Sequence, residues 1–297
     1  MSWSGKRDSN PRPSAWEADA LPTELFPRNL SEVFCRERGR ESRRAWGAKE
    51  AAGGRGVRYQ GGVTSASSEA RARLAGLEEV RRGLRSRFEA RMRATPSLAD
   101  PKPLGSGPLN RHGMPRLPPG QGEQEELPVL DLGDQPDTPL DRWTLAIDGA
   151  VEAPVTLSWE DLLSLPQVDL AADFHCVTGW SMLDLAWRGV PLDAVLALAR
   201  PTADATHVLV HGRDDYSTNL PLEEALKADV ILAHGLAGAP LPREHGGPAR
   251  LVVPQLYAWK SAKWVSRLEL MTHDRRGYWE IRGYSNTGYP WREDREW

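Results

Sequence analysis

Cysteine is almost absent from this chain, with two in 297 residues, Cys35 and Cys176. That scarcity argues against a disulfide framework, a multi-cysteine zinc site or a cysteine-held iron–sulfur cluster, and it suits a reducing compartment. A haem-attachment pattern is also missing. No apolar run reaches the length of a membrane span or a secretory h-region, and Arg43-Arg44 is followed by polar and small residues. The expectation is a protein with no export signal and no membrane anchor, located in the cytoplasm. Internal repeats are missing too.

What is present is unevenly spread. Up to Gly113 there are 22 Lys and Arg against 13 Asp and Glu; the remainder holds 16 against 28. From Met1 to about Ala66 the chain is rich in Gly, Ser, Arg and Glu without helical or strand period, a composition that buries too little surface to offset its ordering entropy. Residues 1–113 therefore read as a disordered basic extension. Within it Leu74, Leu77, Leu84, Phe88 and Met92 fall at helical spacing among arginines, predicting one basic amphipathic helix near 68–94, expected as a solvated arm. No aromatic platform or DNA-binding motif accompanies it, so nucleic acid is not an expected partner, nor is a membrane. A Pro- and Gly-rich stretch, 101–122, leads into a domain expected over 114–297, opening at Met114.

That domain alternates short strands and helices. Trp143, Leu145 and Ile147 alternate in "WTLAIDG"; Ser158 caps a helix through Leu163; "VDLAADFHCV" reads as a strand and "GVPLDAVLALA" as a helix. "THVLVHG" is a strand entering a turn at Asp214-Asp215, and "LPLEEALKA" is helical. "DVILAHG", "ARLVVP" and "KWVSRLELM" are β-rich runs. The pattern predicts an α+β domain of mixed sheets with short helices.

Cys176 lies in "DFHCVTGWS", where a strand gives way to a Gly turn. Cysteine in such a place is ordinarily a buried, inert thiol. His175 is a poor base for it, because neighbours on a strand point to opposite faces. A thiolate on a metal whose other positions belong to a non-protein ligand is the remaining chemical reading, and it needs an anion-binding pocket. "EHGGPARLVVPQLYAWKSAKW" offers one: His245, Arg250, Lys260 and Lys263 supply cationic donors, Ser261 a hydroxyl, and Gly246-Gly247 allow close backbone approach.

Together "HCVTGWSMLDLAWRGVPL" and "HGGPARLVVPQLYAWKSAKW" resemble the molybdenum-ligating and pterin-binding blocks of the sulfite oxidase superfamily, in that family's order, with the resemblance running from about Leu117 onward. The resemblance implies a sulfite oxidase-type molybdopterin-binding fold and a molybdenum cofactor, with Cys176 on the metal. It implies that His175, His211, His245, Arg250, Ser261 and Lys263, with backbone of Lys260 and Ala262, hold the cofactor. Gly212 is an alternative to His211, and Asp131 and Gly133 are candidates for an early contact loop. It further implies two-electron oxygen-atom transfer on a small-molecule substrate and a separate electron-transfer partner, with neither haem nor iron–sulfur cluster in the chain. The run "VTGWS" carries no arginine after the cysteine, which disfavours sulfite. "CVxxWS" is similar to the bacterial branch of molybdenum-dependent methionine sulfoxide reductases, whose members are exported, so S-oxide or N-oxide reduction by a soluble relative is expected. A carrier that holds molybdopterin without turnover accounts for the same residues. Trp279, Tyr284, Tyr289, Trp291 and Trp297 are expected to roof the site, to dock a redox partner or to cover the core.

Overall fold

The computed structural model describes residues 68–94 and 104–296. The disorder expected for residues 1–66, and Trp297, lie outside them. The elements begin with α1 (Ser68–Ala94), β1 (Ser106–Leu109), β2 (Pro115–Leu117) and β3 (Gly122–Glu123). There follow β4 (Thr144–Gly149), β5 (Val155–Ser158), α2 (Trp159–Ser164), β6 (Val168–His175), β7 (Trp180–Pro191) and α3 (Leu192–Ala197). The rest are β8 (His207–Gly212), β9 (Ser217–Pro221), α4 (Leu222–Ala225), β10 (Ile231–Leu236), β11 (Ala239–Pro240), β12 (Arg250–Val252) and β13 (Val265–Met271).

β1 and β2 pair with each other. A six-stranded sheet is built on β11-β10-β7-β3, with β12 on β10 and β6 on β7, and a five-stranded sheet runs β5-β4-β13-β8-β9. The β3/β7 and β4/β13 pairs are parallel and the others antiparallel. This is the expected mixed α+β architecture with short helices. α2 starts where its sequence says it should: Ser158 Oγ accepts from Asp161 N at 3.1 Å while Asp161 Oδ2 accepts from Ser158 N at 2.9 Å, a capping box.

Strand alternation fills one large core. Leu145, Ile147, Val208, Val210, Leu268 and Leu270 from the five-stranded sheet meet Leu192, Val195 and Leu196 of α3 and Leu222 of α4. A second cluster, with Phe174, Met182, Trp187, Ile231 and Val252, covers part of the six-stranded sheet.

The basic helix is present, but it is docked by one face on the core rather than free as a solvated arm. Leu77, Leu84 and Phe88 of α1 belong to the large core, and burying each such side chain is worth about 1.5–3 kcal/mol. Three of its arginines are spent on the domain: Arg81 and Arg85 meet the buried Asp193 at 2.9 and 2.6 Å, and Arg87 donates to Thr202 O and Pro201 O. A buried carboxylate needs such partners, which is why the helix docks by this face.

Candidate active site

The turn from β6 to β7 presents Cys176. Cys176 N donates to Trp180 O at 2.8 Å, Gly179 N donates back to Cys176 O at 3.1 Å, and Gly179 has φ +99°, which its lack of a side chain permits. The thiol is buried, with Sγ 3.2 Å from Thr178 Oγ1. Burial pushes the thiol pKa up, and the Thr178 hydroxyl and the Arg295 cation oppose that.

A hydrogen-bond chain fixes the state of His175. Gln121 Nε2 donates to Cys176 O at 3.0 Å, which orients the amide, and Gln121 Oε1 then accepts the Ser181 hydroxyl at 3.1 Å. With its proton so used, Ser181 Oγ accepts from His175 Nδ1–H, 2.8 Å away. His175 Nε2 is left as a bare acceptor, buried and without a partner. Burial lowers its pKa from 6.5 to about 4, so the ring is neutral. It packs edge-on against Trp291, centroids 5.2 Å apart, and its backbone bridges to Tyr257. Tyr257 is fully buried with an unpartnered hydroxyl.

From Tyr257 the chain crosses between the two sheets to β13, and Lys263 near the end of this crossing lies by Arg250 of β12 and His245 of the loop before it. Arg250 is buried over the rings of Phe174 and Trp187, 4.9 and 5.6 Å from their centroids. Its guanidinium donates only to carbonyls, of His245 and Ser261 at 2.9 Å each and of Leu251 at 3.4 Å. Desolvation lowers its pKa to about 10. Lys263 donates to Glu244 O at 2.7 Å and lies 3.9 Å from Asp131, and desolvation, then Arg250, lowers its pKa to about 8. His245 is also held below its usual value, by burial against the opposing pull of Glu244, with Arg250 and Lys263 adding to the drop. Gly246, φ +102°, lets the loop close on both: a β-carbon there would lie 2.9 Å from Lys263 Cβ and 3.1 Å from Arg250 Cβ.

The remaining predicted residues divide. Ser261 Oγ accepts from Val253 N at 3.0 Å, and Ala262 O accepts from Leu251 N at 2.9 Å, so both pin the crossing to β12. The Lys260 side chain turns the other way, fully buried, onto Glu280 Oε1 at 2.6 Å and Asn219 O and Oδ1 at 3.0 and 2.8 Å. Glu280 Oε1 also accepts from Thr218 and from Trp259 Nε1, a network that anchors the crossing. His211 is not brought in: its Nε2 sits 3.1 Å from Glu269 on the face of the sheet away from Val208 and Val210. Gly212, on the other side of the pleat, abuts the Lys263 carbonyl. Asp131 does reach Lys263, with Gly133 N donating to its Oδ1 at 2.9 Å. Sequence reading missed Gln121 and Arg295, for neither of which a local signal exists.

Residues 132–279 match the family described as oxidoreductase molybdopterin binding domain. The chain is 40% identical over 181 residues to the uncharacterized oxidoreductase YuiH of Bacillus subtilis (strain 168), an alignment covering 61% of this chain and 91% of that protein. It belongs to the molybdopterin-binding oxidoreductases. Within that group it falls in the sulfite oxidase superfamily and is an enzyme by descent. It is 36% identical over 155 residues to the protein-methionine-sulfoxide reductase catalytic subunit MsrP of Gluconobacter oxydans (strain 621H), covering 46% of this chain and 49% of MsrP. The MsrP of Campylobacter jejuni is 31% identical over 165 residues, 50% of this chain and 55% of that one. The chain thus spans about half the length of these MsrP proteins. Among solved structures, the sulfane dehydrogenase SoxCD from Paracoccus pantotrophus aligns at TM-score 0.43 with 28% identity, over 47% of this chain and 40% of that chain.

The residues present fit a molybdopterin. The residue before Cys176 carries a buried, unpartnered acceptor, His175 Nε2, and its backbone-bridge partner carries a buried, unpartnered hydroxyl, Tyr257 OH. Beyond them Arg250 is a buried cation bonded only to carbonyls, which an anionic group would compensate.

Proposed function

We propose that this oxidoreductase moves an oxygen atom from an S-oxide or N-oxide at a molybdenum centre bound by Cys176, with residues 114–297 carrying the chemistry and α1 buttressing them. When bound, the cofactor supplies a metal that exchanges an oxygen atom with substrate in a two-electron change. Cys176, as the thiolate, would be the protein ligand of that metal, with the Thr178 hydroxyl 3.2 Å from its sulfur to support the charge. His175, neutral because it is buried and with its Nδ1–H held by Ser181, would accept a hydrogen bond from the pterin at Nε2. Arg250 and Lys263 would neutralise the cofactor's phosphate, with His245 near them and the Ser261 hydroxyl and the backbone of Lys260 and Ala262 in the same segment. Asp131 and Gly133 border Lys263 from the opposite side.

The observation that carries this reading is that one crossing, 253–264, is bridged through Tyr257 to His175, the residue before Cys176, and at its far end holds Lys263 by Arg250. Similarity to MsrP, by its name a methionine-sulfoxide reductase, supports the S-oxide as substrate. The first arginine after Cys176, Arg188, is spent on Asp169 at the surface, so the segment that bears the cysteine supplies no anion-binding arginine of its own. Electrons come from a separate partner, and the protein works in the cytoplasm.

The test is dye-coupled reduction of S-oxides and N-oxides by cofactor-loaded enzyme. Turnover that disappears in Cys176→Ser is expected. A loaded enzyme that oxidises sulfite and ignores every S-oxide and N-oxide overturns the assignment.

A further inference from the structure

Beyond the family match, which ends at residue 279, the chain returns to Cys176. Arg295 Nη1 donates to Val177 O, the carbonyl next to Cys176, from 118 residues further along the chain. Its guanidinium lies 5.4 Å from the centroid of the Tyr257 ring. The Tyr257 hydroxyl, buried and without a close partner, feels Arg295 through its charge and a looser hydrogen bond, against the opposing charges of Glu293 and Asp294. Among the described residues Arg295 forms no ion pair, although Glu293 and Asp294 are its neighbours in sequence. The strap that carries it is fastened at three points. Trp291 Nε1 donates to Pro115 O at 2.5 Å, Asp294 Oδ2 accepts from Gly288 N at 3.0 Å, and Ser285 N donates to Arg295 O at 3.0 Å.

Resting on the reading that Cys176 is the metal ligand, we infer that Arg295 is the specificity-determining cation of the site and selects S-oxides or N-oxides that bear an anionic group, a carboxylate or sulfonate. The run from Cys176 to Trp187 holds no cation, and Arg188 is turned away onto Asp169. The positive charge on this side of the cysteine is therefore brought by the strap. A planar guanidinium held at one nitrogen keeps other donors for a carboxylate, and the Tyr257 hydroxyl beside it adds another. Arg295 is thus a substrate-positioning residue.

Two measurements on the full chain test this, with Cys35→Ser so that Cys176 is the sole thiol. In loaded enzyme, kcat/KM for 3-(methylsulfinyl)propanoate relative to dimethyl sulfoxide is expected to fall roughly tenfold in Arg295→Gln, mainly through KM, as loss of a unit charge at about 6 Å implies. Arg295→Lys is expected to keep most of the preference. In cofactor-free protein, the ratio of Cys176 alkylation rates with iodoacetate and iodoacetamide is expected to fall by a similar factor in Arg295→Gln. The thiolate attacks the CH2 carbon of both reagents and displaces iodide, so the ratio cancels any change in the thiol's ionisation. Unchanged ratios in both assays overturn the inference, and so does a Cys176 that neither two-carbon reagent reaches. A natural chain that carries no molybdenum, yet shows the alkylation ratio falling, instead overturns the proposed function and leaves the anion-selecting cation in place.

Discussion

Lys263→Met should make the cofactor-free protein more stable and the loaded protein harder to obtain. Folding drives the Lys263 pKa from 10.5 to about 8, chiefly by burial and then by the nearby Arg250. At about 1.36 kcal/mol per pH unit this is a penalty of roughly 3 kcal/mol on the charged side chain. The unfolded chain holds a proton that the folded chain lacks between about pH 8 and 10.5, so folded stability rises with pH across that window. The penalty is fully present below pH 8. Methionine removes it but strands the Glu244 carbonyl that Lys263 holds at 2.7 Å, a loss of about 1–1.5 kcal/mol. The net gain is about 1–2 kcal/mol at pH 7, or about 2–4 °C in Tm per kcal/mol for a protein of this size. Thermal denaturation of natural and variant apoprotein at pH 7 and pH 10 reads this directly: the gap should shrink at pH 10, while pterin recovered with the variant falls tenfold or more. A variant that is less stable at pH 7, with a gap that does not depend on pH, would refute the reasoning.

Other consequences are as specific. Lys260→Met strands the fully buried Glu280 and should cost about 3–5 kcal/mol, whereas Lys260→Met with Glu280→Leu should recover part of it; denaturant midpoints of the two variants decide. Gly246→Ala places a β-carbon 2.9 Å from Lys263 at φ +102° and should cost about 1–3 kcal/mol and lower pterin retention together, read from unfolding and cofactor content. His175, neutral with a pKa near 4 because it is buried, binds a proton on unfolding between about pH 4 and 6.5. Stability should therefore fall as pH drops through that window, by roughly 2 kcal/mol at pH 5, and His175→Gln should abolish that part of the pH dependence.

Much of the fold is written in local pattern. Ser158 with Asp161 announces α2, and the alternation of Leu145 with Ile147 and of Val208 with Val210 announces two strands of the five-stranded sheet. β7, the longest strand, is unreadable because its alternation breaks where Asp184 takes φ +55° and the pairing with β6 shifts register. β9 escapes because its buried Thr218 and Asn219 are polar, and their burial makes sense only once Glu280 and Lys260 arrive from far along the chain. At the site, Cys176 and the 245–263 loop stand out by composition. The difference between Lys260 and Lys263, one anchoring the loop and the other lining the cation cluster, depends on a turn at 258–260 that composition does not show. Strand register likewise decides that Gly212 and not His211 meets Lys263. Arg295 has no local signal, since its role exists only through the strap that carries it to Val177.

The central claim is that Cys176 holds the metal of a bound molybdopterin. The most direct test is molybdenum measured by mass spectrometry, with pterin assayed in parallel, on the natural chain and on Cys176→Ser produced in a host that loads a control enzyme. The account predicts near-stoichiometric molybdenum and pterin in the natural chain and an altered metal spectrum in the variant. A natural chain free of both, from a host that loads the control, would contradict it and return Cys176 to the status of a buried thiol.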